Sequence, residues 1–262
     1  MSQGVIKIAL AMAFAALLPS CFGAQVNSAR AGGPVALAYT FPKPVPTATP
    51  EPEPSVTVGQ VAASQGAVEV RGFHEPGDWA HRNYCGAGAT QVLLSAWMSD
   101  VPNIETVARM SKLNPNRGEF GADATAGINA FLNPVVLPTL GHARYKAEHV
   151  TVLDEVMTRI RQDIVDQQAM MTFGHGVPVM VQTMTKTMPG WNHWNATHMI
   201  TIFAFDFSHE DPALDTVTYA ETPSPLAGYR GPDFQTLSVK ALWVAMQAYL
   251  REFPQDPMNV IS

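Results

Sequence analysis

Asn83-Tyr84-Cys85-Gly86-Ala87-Gly88-Ala89-Thr90-Gln91-Val92-Leu93-Leu94-Ser95-Ala96-Trp97 decides how the rest of the chain is read. Val92, Leu93, Ala96 and Trp97 recur at spacings of three and four, the period of a helix with one buried face. Cys85 then stands at the N-terminus of that helix, where unpaired N–H groups and the helix dipole favour negative charge. Gly86, Ala87 and Gly88 leave room for a substrate carbonyl near the sulfur, with a backbone N–H facing a developing oxyanion. The same stretch also fits a buried structural cysteine, because free cysteine is among the most buried residue types.

A cysteine nucleophile needs a base, and the base needs a group that orients it. His198 opens an apolar run, 199–205, that reads as a strand; Glu221 ends the next strand, 216–221. Antiparallel pairing of these strands brings His198 and Glu221 to one end of the sheet. A carboxylate there sets the imidazole tautomer and stabilises the imidazolium. An amide at 221 is expected to cost less than loss of His198, since it still accepts a hydrogen bond from the ring. Among the other histidines, His74 and His81 lie upstream of Cys85 and either could line the cleft. His142 and His149 read as surface and His175 as a turn residue. His193, Asp206 and His209 do not have a recognised zinc-ligand spacing, so no metal is expected. No phosphate loop, dinucleotide fingerprint or haem motif is present, and no cofactor is expected.

Around these residues the chain reads as helices followed by a sheet. A short strand is expected at 68–70, a loop at 72–83, a helix at 104–110 and a turn at 114–118. Asp123 caps a helix over 124–132 that Asn133-Pro134 ends. Thr151 starts the clearest helix, with Asp154 three residues on and a stripe of Leu153, Val156, Met157, Ile160 and Ile164. Met170 and Met171 read as core filler. Strands follow at 178–183, 199–205 and 216–221, with Asp211-Pro212-Ala213 connecting the last two, and an amphipathic helix over 238–253 closes the domain. Helices first and an antiparallel sheet after them argue an α+β fold.

The globular domain is expected at 67–254. In front of it, Lys7, an apolar run over 8–18 and small residues to Ala24 read as a secretory signal peptide over 1–24. The run is too short for an ordinary spanning helix. Leu18-Pro19-Ser20-Cys21 is loosely similar to a lipoprotein signal, which would lipidate Cys21 and attach the protein to the cell envelope. Residues 25–66 read as a spacer with no core to contribute; within them 40–54 alternates proline with Thr, Ala and Glu and stays extended as polyproline II. The 262-residue chain has two cysteines, one of them in the signal. Once the signal is removed, Cys85 is the sole thiol of an exported protein, the pattern of a reactive or intermolecularly paired cysteine. The net charge of −6 argues against nucleic acid and anionic membranes as partners. A monomer is expected.

Tyr84-Cys85-Gly86-Ala87-Gly88-Ala89-Thr90 resembles the nucleophile helix of the bacteriocin-processing (double-glycine) peptidase-like family, papain-fold cysteine peptidases with a Cys-Gly-Pro-Ala-type motif. Gly176-Val177-Pro178 resembles that family's Gly-x-Pro strand, His198 to Asp206 its His-x-Val-x-Val-x-Gly-Tyr-Asp strand, and Val217 to Pro223 its Val-Tyr-x-x-Asp-Pro strand. The four motifs cover about 170 residues in the family's order. The resemblance implies a papain-like fold, a peptide or protein substrate, Cys85 as nucleophile, His198 as base and acid, and Glu221 as the orienting residue. Three departures stand out. Ala87 replaces the family's proline, and Glu221 its usual Asp or Asn. Trp79 replaces the oxyanion-hole glutamine, with His81 and Asn83 as nearby substitutes. The implied activity is peptide-bond hydrolysis through a thioester. The alternatives are a non-catalytic peptide-binding or surface-interaction domain on the same fold, and an amidase acting on cell-wall peptides.

Overall fold

The computed structural model describes residues 63–262; the expected signal peptide, Cys21 and nearly all of the Pro-rich spacer lie outside them. Everything is arranged about one strand, β4 (Thr197–Asp206). It combines β-branched and aromatic residues over ten positions, a composition that suits a strand covered on both faces. β3 (Val179–Met184) pairs antiparallel with its first half, from Met184 opposite Thr197 to Val179 opposite Ile202. β1 (Gln65–Ala67) continues that edge along the second half. β5 (Thr216–Ala220) lies on the other side, with a bulge between Ile202 and Ala204, and β6 (Phe234–Ser238) lies beyond it. Beyond β3 come β7 (Val260–Ile261) and then β2 (Ala147–Glu148). Every pairing is antiparallel.

Strand alternation sorts the core into two layers. Val179, Val181, Ile200 and Ile202 face one side, where α4 (Leu153–Ile164) and α6 (Val239–Glu252) pack through Val156, Ile160, Leu242 and Met246. Met180 and Met199 face the other, against α1 (Cys85–Leu94), α2 (Ile104–Met110) and α3 (Gly121–Leu140). Each fully buried aliphatic side chain contributes about 1.5–3 kcal/mol, so the α4 triplet Val156, Ile160 and Ile164 alone is a substantial anchor. Thr201 Oγ1 donates to the Ala89 carbonyl at 2.7 Å and ties α1 to the central strand.

The α+β class and the antiparallel sheet agree with the sequence reading, and so do α2, α6 and the α4 stripe. Several particulars do not. The expected strand at 68–70 is β1, three residues earlier, although Val68 N–H still donates to the Phe203 carbonyl. The sheet therefore begins before residue 67, and β7 carries it past 254. Helices cover both faces of the sheet rather than standing only in front of it. Pro134 does not end α3, which runs on through Pro138. Ala130 and Pro134, whose carbonyls lose their i+4 donors, sit on the exposed face where water can serve them, while Leu132 and Val136 stay buried. α4 starts after Val152 without a side-chain cap, so Thr151 and Asp154 form no capping box. Met170 and Met171 are exposed on a separate helix, α5 (Gln167–Phe173), which Asp166 caps and Ala169 anchors. Among the described residues no helix is long and apolar enough to cross a membrane.

Candidate active site

α1 begins at Cys85 and is buried from Gly86 to Leu94 on every side, not on one face as its sequence suggested. Ala96 and Trp97 lie past its end. The glycines at its start are required by close packing. A Cβ on Gly86 would fall 2.0 Å from Glu119 Oε1, and one on Gly88 would meet Thr222 at 2.9 Å. Glycines there let the cysteine end of the helix sit against the end of the sheet.

The expected base and its partner meet at that end. His198 Nε2 and Glu221 Oε2 are 2.8 Å apart, and both side chains are essentially closed to solvent. The register explains the contact. Thr201 is opposite Ala220, so the chain leaving β5 passes beside the start of β4. Glu221 continues the alternation of Val217 and Tyr219 and so falls on the same face as His198 and Ile200. Glu221 leaves β5 by donating its N–H to the Asp233 carbonyl. Cys85 and His198 line the same cavities, and the Cys85 side chain is among the groups that raise the ring's pKa. With Nε2 committed to Glu221, Nδ1 is the nitrogen left for the sulfur.

Burial, the largest single influence on His198, pushes its pKa down. The Glu221 charge and the hydrogen bonds to Cys85 and Glu221 together outweigh it and raise the group from 6.5 to about 10. The ring is therefore cationic at neutral pH.

Trp191 completes the group, and sequence reasoning missed it. Its Nε1–H donates to Glu221 Oε1 at 2.9 Å, so each carboxylate oxygen accepts one N–H, from Trp191 and from His198. Its ring also stands edge-on to the imidazole, with centroids 4.9 Å apart. Trp191 is buried and shields the pair from water. The available signal was local: Trp191 follows Pro189-Gly190, and Gly190 takes a positive φ of 83° that brings the turn against Tyr229.

Cys85 and His198 lie between two cavities. The larger, about 290 Å³, is lined by Glu75, Trp79, Trp191 and Trp194; the smaller, about 100 Å³, by Gly86, Glu119, Phe120 and Tyr249. Glu119, packed on Gly86, has a carboxyl that burial pushes up to about 8.

Of the substitutes considered for an oxyanion donor, His81 is fully occupied. His81 holds Asp78 through Nδ1 at 2.7 Å and Glu105 through Nε2. Those two carboxylates, Glu105 foremost, raise its pKa. Asn83 Nδ2 donates to the Pro115 carbonyl at 2.8 Å. Trp79 stands on the rim, 72% exposed, with the Arg82 guanidinium over its ring. His74 pairs with Asp233 and does not line the cleft. Among the described residues no three His, Cys, Asp or Glu side chains converge as metal ligands. No protein-family model matches the chain, and no curated protein matches it in sequence.

Proposed function

We propose that the protein is an exported cysteine peptidase of papain-like fold that hydrolyses peptide bonds through Cys85, His198 and Glu221. The observation that carries this reading is the buried His198–Glu221 pair with the Cys85 thiol at the same ring. A buried carboxylate beside a cationic imidazole is costly to assemble unless the charges are used together. The papain-like assignment draws support from a cysteine at the N-terminus of a buried helix and a histidine on the central antiparallel strand that the helix covers.

In the proposed mechanism the Cys85 sulfur attacks the substrate carbonyl carbon and the C=O electrons move to oxygen. As the tetrahedral intermediate collapses, His198 passes its proton to the leaving amine, and a thioester remains on Cys85. Neutral His198 then takes a proton from water, which attacks the thioester. The second collapse releases the acid and returns the thiolate–imidazolium pair. Glu221 holds Nε2–H throughout and stabilises the charged ring.

The test is acylation of the full chain by p-nitrophenyl acetate, which needs no knowledge of the natural substrate. A burst of p-nitrophenolate equal to the enzyme concentration, absent in Cys85→Ala, is expected. Equal release from the two proteins would remove the hydrolase reading. One observation favours a second reading, a non-catalytic peptide-binding domain: both ring nitrogens of His81 are held by carboxylates, away from the cleft. A chain that binds peptides but shows no burst would support it.

A further inference from the structure

The cleft holds a buried carboxyl that the mechanism above does not use. Glu75 lies in the loop ahead of α1, is 5% exposed and lines the larger cavity together with Cys85 and His198. Its backbone N–H donates to the Thr222 carbonyl at 3.1 Å, which fixes it beside the residue that follows Glu221. Its carboxyl lies near the backbone of Ser224 and of Tyr84, the residue immediately before Cys85, whose own N–H donates to the His81 carbonyl at 3.1 Å. Ser224 is tied back to this loop by its hydroxyl, which donates to the Pro76 carbonyl. The side chain is thus positioned from two directions at the N-terminus of α1.

On the hydrolase reading, we propose that Glu75, as a neutral acid, is the side-chain donor of the oxyanion hole. In that form its O–H is a donor available to the cavity it lines. As the Cys85 sulfur bonds to the substrate carbon, the charge that develops on oxygen is met by the Glu75 O–H and the Cys85 backbone N–H. No proton changes owner at Glu75. When the C=O re-forms, the leaving group takes its proton from His198. A carboxylic acid kept neutral by its surroundings so that it can donate to an oxyanion is a known solution in enzymes.

The surroundings favour the acid form. Burial, foremost, raises Glu75 from 4.5 to about 8; His198 opposes the shift and Glu221 adds to it. The groups that face this carboxyl are His198 on β4, Glu221 after β5, Cys85 on α1, and Arg82 and Arg117 on the cavity wall. Glu119 lies on the far side of Cys85.

Two reagents separate the roles. Iodoacetamide alkylates Cys85 without forming an oxyanion; p-nitrophenyl acetate acylates it through one. Loss of a donor of this kind lowers rates about 10²–10³-fold. Glu75→Ala is expected to slow acylation by that factor and to leave alkylation within about twofold. Glu75→Gln supplies an N–H donor that does not titrate, so acylation at pH 7 is expected to stay within about tenfold of wild type. The pH profile is the stricter readout. Wild-type acylation is expected to fall as pH rises through about 8, and Glu75→Gln to show no fall there. Equal loss of alkylation and acylation in Glu75→Ala would mean that the residue only positions the thiol, and would overturn the proposal. So would superimposable profiles for wild type and Glu75→Gln, or an alkaline fall that Glu119→Gln abolishes instead. Failure of the hydrolase reading looks different: wild type is alkylated yet never acylated, and the proposal falls with it.

Discussion

Replacing Glu221 with glutamine is expected to do far more damage than an amide in this position ordinarily would, and Trp191 is the reason. Each oxygen of Glu221 accepts one N–H, at 2.9 Å from Trp191 Nε1 and at 2.8 Å from His198 Nε2. An amide has one oxygen and one NH₂ group, and indole N–H can only donate. Turning the amide oxygen toward His198 leaves Trp191 N–H facing NH₂, a buried unpaired donor that costs about 1–3 kcal/mol. Turning it toward Trp191 satisfies everything if the imidazole moves its proton to Nδ1 and accepts from the amide through Nε2. That second arrangement wins, and it is the wrong tautomer for deprotonating Cys85. An analogous carboxylate-to-amide change in a Ser-His-Asp triad loses about 10⁴ in rate for this reason. The prediction is an inversion of the usual order of damage. Trp191→Phe alone is expected to be impaired, but Trp191→Phe added to Glu221→Gln should speed acylation, because the amide oxygen is then free to face His198. Removing a bias of about 1–3 kcal/mol corresponds to about 5- to 150-fold. The assay is the acylation rate by p-nitrophenyl acetate at pH 7 in the four combinations, with ¹⁵N chemical shifts reporting the His198 tautomer. If the double variant is no faster than Glu221→Gln, the shared-carboxylate reasoning is wrong.

Three further outcomes follow from the same geometry. Cys85→Ala should abolish labelling of the peptide that contains residue 85 and shift the unfolding midpoint little, since the thiol is partly exposed and anchors no core; loss of folding would return Cys85 to a structural role. Stability should fall from pH 5 to pH 9: Glu75 and Glu119 hold protons in the folded state up to about 8 against 4.5 unfolded, and His198 up to about 10 against 6.5. Each such group favours folding fully below its unfolded pKa and loses that contribution through its folded one, at about 1.4 kcal/mol per pH unit within the window. Urea midpoints that rise between pH 5 and 8 would contradict this. Gly176→Ala should destabilise by about 1–3 kcal/mol, because the added methyl would lie 1.9 Å from the Ile164 carbonyl oxygen, a backbone atom that cannot swing away; a wild-type thermal midpoint would show that the β3 approach is looser than it looks.

Much of the fold was legible because its signals are local. The α4 stripe follows helical period, and apolar density marks β3 and β4, which are covered on both faces. Ser238 caps α6 through a hydrogen bond to Ala241 N–H, a contact three residues long that any reader of the sequence can find. His198 and Glu221 could be paired because neighbouring antiparallel strands bring their ends together by register alone. The elements that escaped are short and owe their existence to partners: β7 and β2 are two residues each and are strands only because β3 offers β7 an edge and β7 offers one to β2. The continuation of α3 past Pro134 likewise depends on which face meets water. The finer parts of the site are of the same kind. That Gly86 and Gly88 admit Glu119 and Thr222, that Trp191 shares the Glu221 carboxylate, and that Glu75 is buried in the cavity that Cys85 lines are all matters of tertiary packing. Residue type and spacing determined which groups could do chemistry here. Burial and direction, which set the protonation of Glu75 and His198 and the number of acceptors left on Glu221, are properties of the packed molecule, because desolvation and hydrogen-bond geometry come into being only when the layers close.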